Sequence, residues 1–368
     1  MRGAARGRGR GVPEAKMALR REWPAAVVAL RPALRRWAWI GGAAASVLWG
    51  PPTPAHAQET HALVVVGLGG TDEYRQQFAG WATRLHQALT GTRGIPGENV
   101  VVLAERTDLA PGVIQGRSTR ENVTAALASM AAKAGPQDRI LVVLIGHGTA
   151  QGDEGRFNLP GPDLSADDFA VALAGFTTQT VAFVHTGSAG GGFVAPLSGP
   201  GRIVLSATRT VRERNATEFP EFFVEALGGD GADLDKDGAV SLLEAFTFAK
   251  AEVARLYAEE KEILTEHAIL DDNGDGEGSP DPGAQAPDGP LAASFRLGST
   301  AVATAPTTDD PELNRLYAQR QEIQGRIDAL RANRGTMSEE AYDTALESLL
   351  VELALKTREI RAREGGGA

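Results

Sequence analysis

The sequence predicts an α/β fold: a mostly parallel six-stranded sheet with helices on both faces. Two observations carry this. Apolar, β-branched runs that stop at glycine alternate with amphipathic helical patterns, which calls for right-handed crossovers between parallel strands. The runs are also continuously apolar rather than alternating, as strands covered on both faces are. With 368 residues, 42% of them apolar, the chain can bury one full core and carry appendages.

In chain order, the first strand is HALVVVGLGG (His61 to Gly70), and a helix through Phe78, Trp81, Leu85 and Leu89 follows it. NVVVLAE (Asn99 to Glu105) is the second strand, and a helix starting near Thr119 carries Val123, Leu127 and Met130. The third strand, RILVVLIGHG (Arg139 to Gly148), leads into a loop containing FNLPGPDLSADD and a helix around Phe169 to Leu173. TVAFVHTGSAGGG (Thr180 to Gly192) holds the fourth strand, and RIVLSAT (Arg202 to Thr208) is the fifth, ahead of the helix FPEFFVEALGG. A late strand near Leu291 to Leu297 closes the predicted sheet.

Residues 1–57 differ from the rest. They carry ten Lys or Arg against two Glu, then the apolar stretch WAWIGGAAASVLWG (Trp37 to Gly50) and an A-x-A site at Ala55-His56-Ala57. That pattern describes a secretory signal cleaved before Gln58, so the expected location is periplasmic or secreted. Arg35-Arg36 ahead of the apolar run also fits a twin-arginine signal. Without the segment, 27 basic residues face 45 acidic ones, a net of −18. Such a surface disfavours nucleic acid and anionic membrane as partners and favours cations. No later stretch of sequence is long and apolar enough to span a bilayer.

The third and fourth strands are expected to end side by side in a polar, glycine-rich crevice, where open α/β sheets place their chemistry. His147-Gly148 ends one, and His185-Thr186-Gly187-Ser188 ends the other. Together with ALVVVGLGG on the first strand and GPGRIVLSATR on the fifth, these residues resemble the caspase-like fold, especially its legumain-type peptidase branch and bacterial relatives. The resemblance covers about His61 to Leu297. It implies a histidine after one strand and a cysteine after the next, the latter in a motif of acidic residue, small residue, cysteine, any residue, Ser-Gly. Laid on that motif, His147 keeps the histidine position and His185 takes the acidic one. Thr186 takes the small position, Ala189-Gly190 the Ser-Gly, and Gly187 stands where the cysteine belongs. The chain contains no cysteine at all, so cysteine-peptidase chemistry has no nucleophile.

Three readings of the crevice stay open on the sequence. In the first, the domain is a non-catalytic binding module for a protein or peptide partner, with Gly187 and Gly190 to Gly192 letting the partner's backbone approach. In the second, Ser188 is a nucleophile with His147 as its base, which requires the two within hydrogen-bond reach. In the third, His147 and His185 bind a transition metal such as zinc, joined by Glu266 or His267.

DLDKDGAVSLLE (Asp233 to Glu244) matches the EF-hand calcium loop at every defined position. Asp233, Asp235 and Asp237 supply carboxylates, Gly238 the sharp turn, Ala239 a backbone carbonyl, Ser241 a direct or water-mediated contact, and Glu244 a bidentate carboxylate. Helical patterns on both sides agree with an EF-hand-like insertion, and calcium is the expected cofactor. Asp271, Asn273, Asp275 and Gly276 repeat the opening of such a loop, but Pro282 sits where the glutamate belongs, so a weak site at best is expected there.

After a domain spanning 58–298, residues 299–310 read as a linker. Asp310-Pro311 then starts a helix with Leu313, Leu316, Ile323, Ile327 and Leu330 at spacings of three, four and seven. Gly335 ends it, and Thr336 with Glu339 forms a capping box for a second helix bearing Tyr342, Leu346, Leu349, Leu353 and Ile360. Residues 311–363 are thus expected to form a helical hairpin, a coiled-coil-like surface open to oligomerisation.

Overall fold

The computed structural model describes residues 58–297, 310–332 and 339–364. The expected signal segment, nearly all of the linker and the Gly335–Thr336 cap lie outside the described residues.

A seven-stranded sheet organises the domain. Its strands are β1 (Thr60–Val66), β2 (Val100–Ala104), β3 (Gly116–Arg117), β4 (Arg139–Ile145), β8 (Thr180–His185), β9 (Arg202–Ser206) and β10 (Ile269–Asp271). They lie in the order β10-β9-β8-β4-β1-β2-β3, all neighbours parallel except β10, which runs antiparallel to β9. The chain steps from β1 to β2 on one side and to β4 on the other, so the strand order reverses beside β1. Three further short strands, β5 (Gly148–Gln151), β6 (Glu154–Phe157) and β7 (Leu164–Ser165), make a separate antiparallel sheet.

Alternate side chains of the central strands feed two cores, because successive strand residues point to opposite faces. Val64, Val66, Val143, Ile145 and Val184 meet α1 (Asp72–Gln87), α5 (Phe219–Gly228) and α6 (Leu242–Glu260) through Phe78, Trp81, Leu85, Phe219, Phe223 and Phe246. On the other face, Leu63, Val65, Val142 and Phe183 pack against α2 (Arg120–Lys133), α3 (Ala166–Leu173) and α4 (Val194–Leu197). Each such aliphatic or aromatic side chain taken fully out of water contributes roughly 1.5–3 kcal/mol. Local chemistry sets the helix starts. The Thr71 hydroxyl accepts from the Tyr74 N–H and Asp72 and Glu73 follow in the first turn of α1, while Ser165 and Asp168 form a capping box at α3.

Three sequence expectations need correction. The sheet has seven strands rather than six: β3 and β10 are two and three residues long, too short to leave a periodic pattern. The stretch expected as the closing strand is instead α7 (Pro290–Ser294), where proline opens the helix and Asp272 accepts N–H bonds from Gly289 and Ala292. The segment read as a loop after β4 holds β6 and β7, whose Phe157 and Leu164 are buried in the second core.

Beyond the sheet, α8 (Pro311–Ala332) and α9 (Glu339–Glu364) pack on each other. Ile323 and Ile327 meet Leu349 and Leu353, while Leu313, Leu316 and Tyr317 enclose Ile360. Arg326–Glu352 and Arg363–Asp310 ion pairs flank these contacts.

Candidate functional site

The strand ends are closed by backbone packing. Gly67, Gly146 and Gly187 end β1, β4 and β8 in a row, and their neighbours leave no room for side chains. A Cβ built on Gly187 would lie 1.8 Å from the Gly146 carbonyl oxygen, and one on Gly148 would lie 2.1 Å from the Ser188 carbonyl oxygen. On Gly191 it would meet the Arg209 carbonyl oxygen at 2.1 Å, and on Gly192 the Gly155 backbone N at 2.8 Å. The glycines that were expected to admit a partner's backbone are therefore packed against this chain's own atoms, backbone at Gly187 and Gly191 and the Ser206 and His185 side chains at Gly190. Thr186 adds to the seal, its N–H and hydroxyl both donating to the Leu144 carbonyl at 3.0 and 2.8 Å.

Ser188 lies inside this seal. It is 3% exposed, its hydroxyl donates to the Gly148 carbonyl at 3.2 Å, and it receives the Gly148 N–H at 3.3 Å. Neither bond involves His147, so the structure brings Ser188 to the His147 strand end without making the nucleophile–base contact that the serine reading needs.

The two histidines face opposite sides of the sheet. His185, paired in register with Leu144, is fully buried beside Phe157 and Phe193, with ring centroids at 5.5 and 4.6 Å. Its Nδ1 accepts the Gly187 N–H at 3.2 Å, and burial pushes its pKa down to about 4, so it is a neutral core group. His147 instead stands edge-on to Tyr74 and Phe78 of α1, at 4.6 and 5.0 Å between centroids, and burial lowers its pKa as well. The proposed additional ligands are elsewhere. Glu266 accepts the backbone N–H groups of Glu218 and Phe219 at the start of α5, at 2.8 and 3.1 Å. His267 pairs with Glu213 at 3.5 Å. The two histidines thus lie on opposite faces of the sheet, and neither belongs to a group of three or more acidic or histidine ligand atoms among the described residues.

Three residues of the expected calcium loop converge. Asp233, Asp235 and Asp237 each present an oxygen within 4.8 Å of the others, the one such acidic or histidine group among the described residues. The turn takes Lys236 and Gly238 to φ of 57° and 88°, the left-handed region where glycine costs nothing. Burial, together with repulsion from neighbouring loop carboxylates, raises the pKa values of Asp233 and Asp237. Glu244 reaches back across the loop, one oxygen accepting from the Leu234 and Asp235 N–H groups at 2.9 and 3.2 Å, the other from Ser241 N–H and Oγ at 2.8 Å each. Ser241 and Glu244 thereby form the capping box of α6, so the serine hydroxyl is committed to the helix start. α6 begins at the tenth loop position, but α5 ends at Gly228, five residues before Asp233.

Sequence reasoning missed Arg296, whose guanidinium pairs with Asp237 while its backbone bridges Ser241. Nothing local marks it, because it comes from a segment 59 residues further on. The second acidic stretch is used structurally: Asp271 Oδ1 accepts from Gly274, Asp272 caps α7, and Asp288 accepts the Asp272 N–H.

No family model matches the chain, and no curated protein matches it. Among solved structures, the Drosophila initiator caspase Dronc is similar to it at 12% identity with a TM-score of 0.38, over 68% of this chain and 93% of that one.

Proposed function

We propose that the protein is an exported, non-catalytic binding protein of caspase-like architecture that takes up calcium at Asp233–Glu244 and engages a protein or peptide partner. The observation that carries the calcium reading is the convergence of Asp233, Asp235 and Asp237 on one point, in a loop whose spacing is that of an EF-hand. The donors are all oxygen, which suits a hard cation and not zinc. Both raised carboxylates would lose their mutual repulsion on binding one. The non-catalytic reading rests on the sealed turn at Gly187 and on the Ser188 hydroxyl being committed to Gly148. The caspase-like assignment rests on the sequence resemblance around His147-Gly148, with which a mostly parallel sheet and an antiparallel edge strand agree.

Calorimetric titration of the chelator-treated protein tests it. The expected dissociation constant is about 10⁻⁴–10⁻³ M, the range of extracellular EF-hand modules. Glu244→Gln and Asp235→Asn should each weaken it at least about tenfold, since each removes a charged ligand from the set. Absence of binding at millimolar calcium, or unchanged affinity in both variants, overturns the assignment.

A further inference from the structure

A cavity of about 240 Å³ opens beside the end of β4, between the first turns of α1 and the start of α5. It lies next to β1, where the strand order reverses, the place at which open α/β sheets bind ligands. Tyr74, Phe78 and Trp81 from α1 and the His147 ring form its aromatic walls, and Glu73 and Glu218 supply its charge.

That charge is uncompensated. Among the described residues, neither the Glu73 nor the Glu218 carboxylate makes a hydrogen bond or an ion pair, whereas the arginines on α1 are engaged elsewhere, Arg75 by Asp72 and Glu105 and Arg84 by Glu221. Burial and the nearby Glu260 and Glu221 raise the Glu218 pKa, as expected of a carboxylate awaiting a counter-charge. His147, held neutral by burial, does not supply it at pH 7.

We propose that this pocket receives a guanidinium, the side chain of an arginine on a peptide or protein partner. The inference rests on the partner-binding reading above and names what the partner presents. Aromatic faces attract a cation through the ring quadrupole, and two carboxylates add direct charge pairing. A guanidinium fits better than an ammonium because it is planar, weakly hydrated and able to lie against a ring while hydrogen-bonding a carboxylate in its own plane. Size agrees. The cavity is smaller than the ~300–1,000 Å³ of sites for cofactors and drug-sized ligands, so it suits one side chain. With the turn at Gly187 sealed, this cavity is a polar opening beside His147.

The test is an NMR titration of the full protein, following the Trp81 indole and His147 ring signals. The probes are N-acetyl-arginine N-methylamide, its lysine and citrulline counterparts, and free arginine, each in calcium and in chelator. The arginine amide should shift both signals saturably with a dissociation constant on the order of 1 mM, and the neutral citrulline isostere should bind at least about tenfold more weakly. Glu218→Gln should weaken the arginine probe about tenfold with the rest of the spectrum retained, and the exposed Glu73→Gln should weaken it severalfold. Equal binding of citrulline, no shift of Trp81 and His147 at tens of millimolar probe, or unchanged affinity in both variants overturns the proposal. Preference for the lysine amide overturns the guanidinium assignment, and preference for free arginine overturns the peptide source. An arginine-containing peptide that binds without moving Trp81 sinks this pocket while leaving the partner-binding reading intact, and calcium titration of the same sample reports on the Asp233–Glu244 site independently.

Discussion

Replacing Gly187 by alanine separates a sealed turn from a vacant active site. If position 187 faced an open crevice, a methyl group there would cost little. In the structure the new Cβ would lie 1.8 Å from the Gly146 carbonyl oxygen, and such contacts essentially never fall below 3.0 Å, so the ends of β4 and β8 must part by more than an ångström. Four hydrogen bonds span that junction: Thr186 N–H and hydroxyl to Leu144, and the two between Ser188 and Gly148. Losing about two of them costs on the order of 1 kcal/mol each, and overpacking adds roughly 1–3 kcal/mol. The expected destabilisation is therefore roughly 3–5 kcal/mol. Urea denaturation at pH 7, read by tryptophan fluorescence, should show the midpoint falling with an unchanged slope. Gly187→Cys should be at least as unstable and should hydrolyse no peptide, because its thiol has nowhere to go but into the seal. A Gly187→Ala protein within about 0.5 kcal/mol of the parent, or a stable Gly187→Cys protein whose thiol alkylates readily, refutes the sealed turn and reopens the crevice as a catalytic site.

Two further outcomes concern α1 and the buried titratable groups. Gly80 sits in the exposed interior of α1 with open space where a Cβ would be, so Gly80→Ala should stabilise by about 0.5–1 kcal/mol in the same urea assay, and a loss would contradict the helix placement. Burial sets two groups against each other in pH. His185, lowered to about 4 from 6.5, takes up a proton later when folded, so its stabilising contribution is present above 6.5 and is lost as pH falls toward 4. Glu266 is pushed up to about 7 from 4.5, because burial outweighs its two N–H donors, so its contribution is present below 4.5 and is lost as pH rises through 7. Glu266→Gln removes only the second dependence. Between pH 4.5 and 6.5 its stability should rise with pH more steeply than the parent's, by up to about 1.4 kcal/mol per pH unit. Parallel profiles would contradict a protonated Glu266.

What could be read in advance follows from how far apart in sequence the determining residues lie. β1, β4, β8 and β9 were legible because each is a self-contained apolar run covered on both faces, a property a window of six residues displays. The convergence of Asp233, Asp235 and Asp237 was legible because these carboxylates fall on alternating residues of one turn. β10 and α7 were not. A three-residue edge strand has no period, and the run from Leu291 to Leu297 is apolar enough for a strand until Asp272, some twenty residues upstream, caps it as a helix. The histidines show the same limit at the site. Sequence puts His147 and His185 at neighbouring strand ends, and only the register, which pairs His185 with Leu144 on the α3 face, shows that they point apart. The cavity lies beyond any local signal, since its walls come from residues 73–81, 146–147 and 216–220. Its one sequence trace is the unbalanced acidity of the chain, with 47 acidic residues against 37 basic ones, which called for a cationic ligand without saying where. Gly187, which the sequence resemblance lays on a nucleophile position, therefore reads in two ways from sequence, as a lost catalyst or as a packing residue. The packing favours the second, because a Cβ built on Gly187 would lie 1.8 Å from the Gly146 carbonyl oxygen, so the space any side chain would need is already filled.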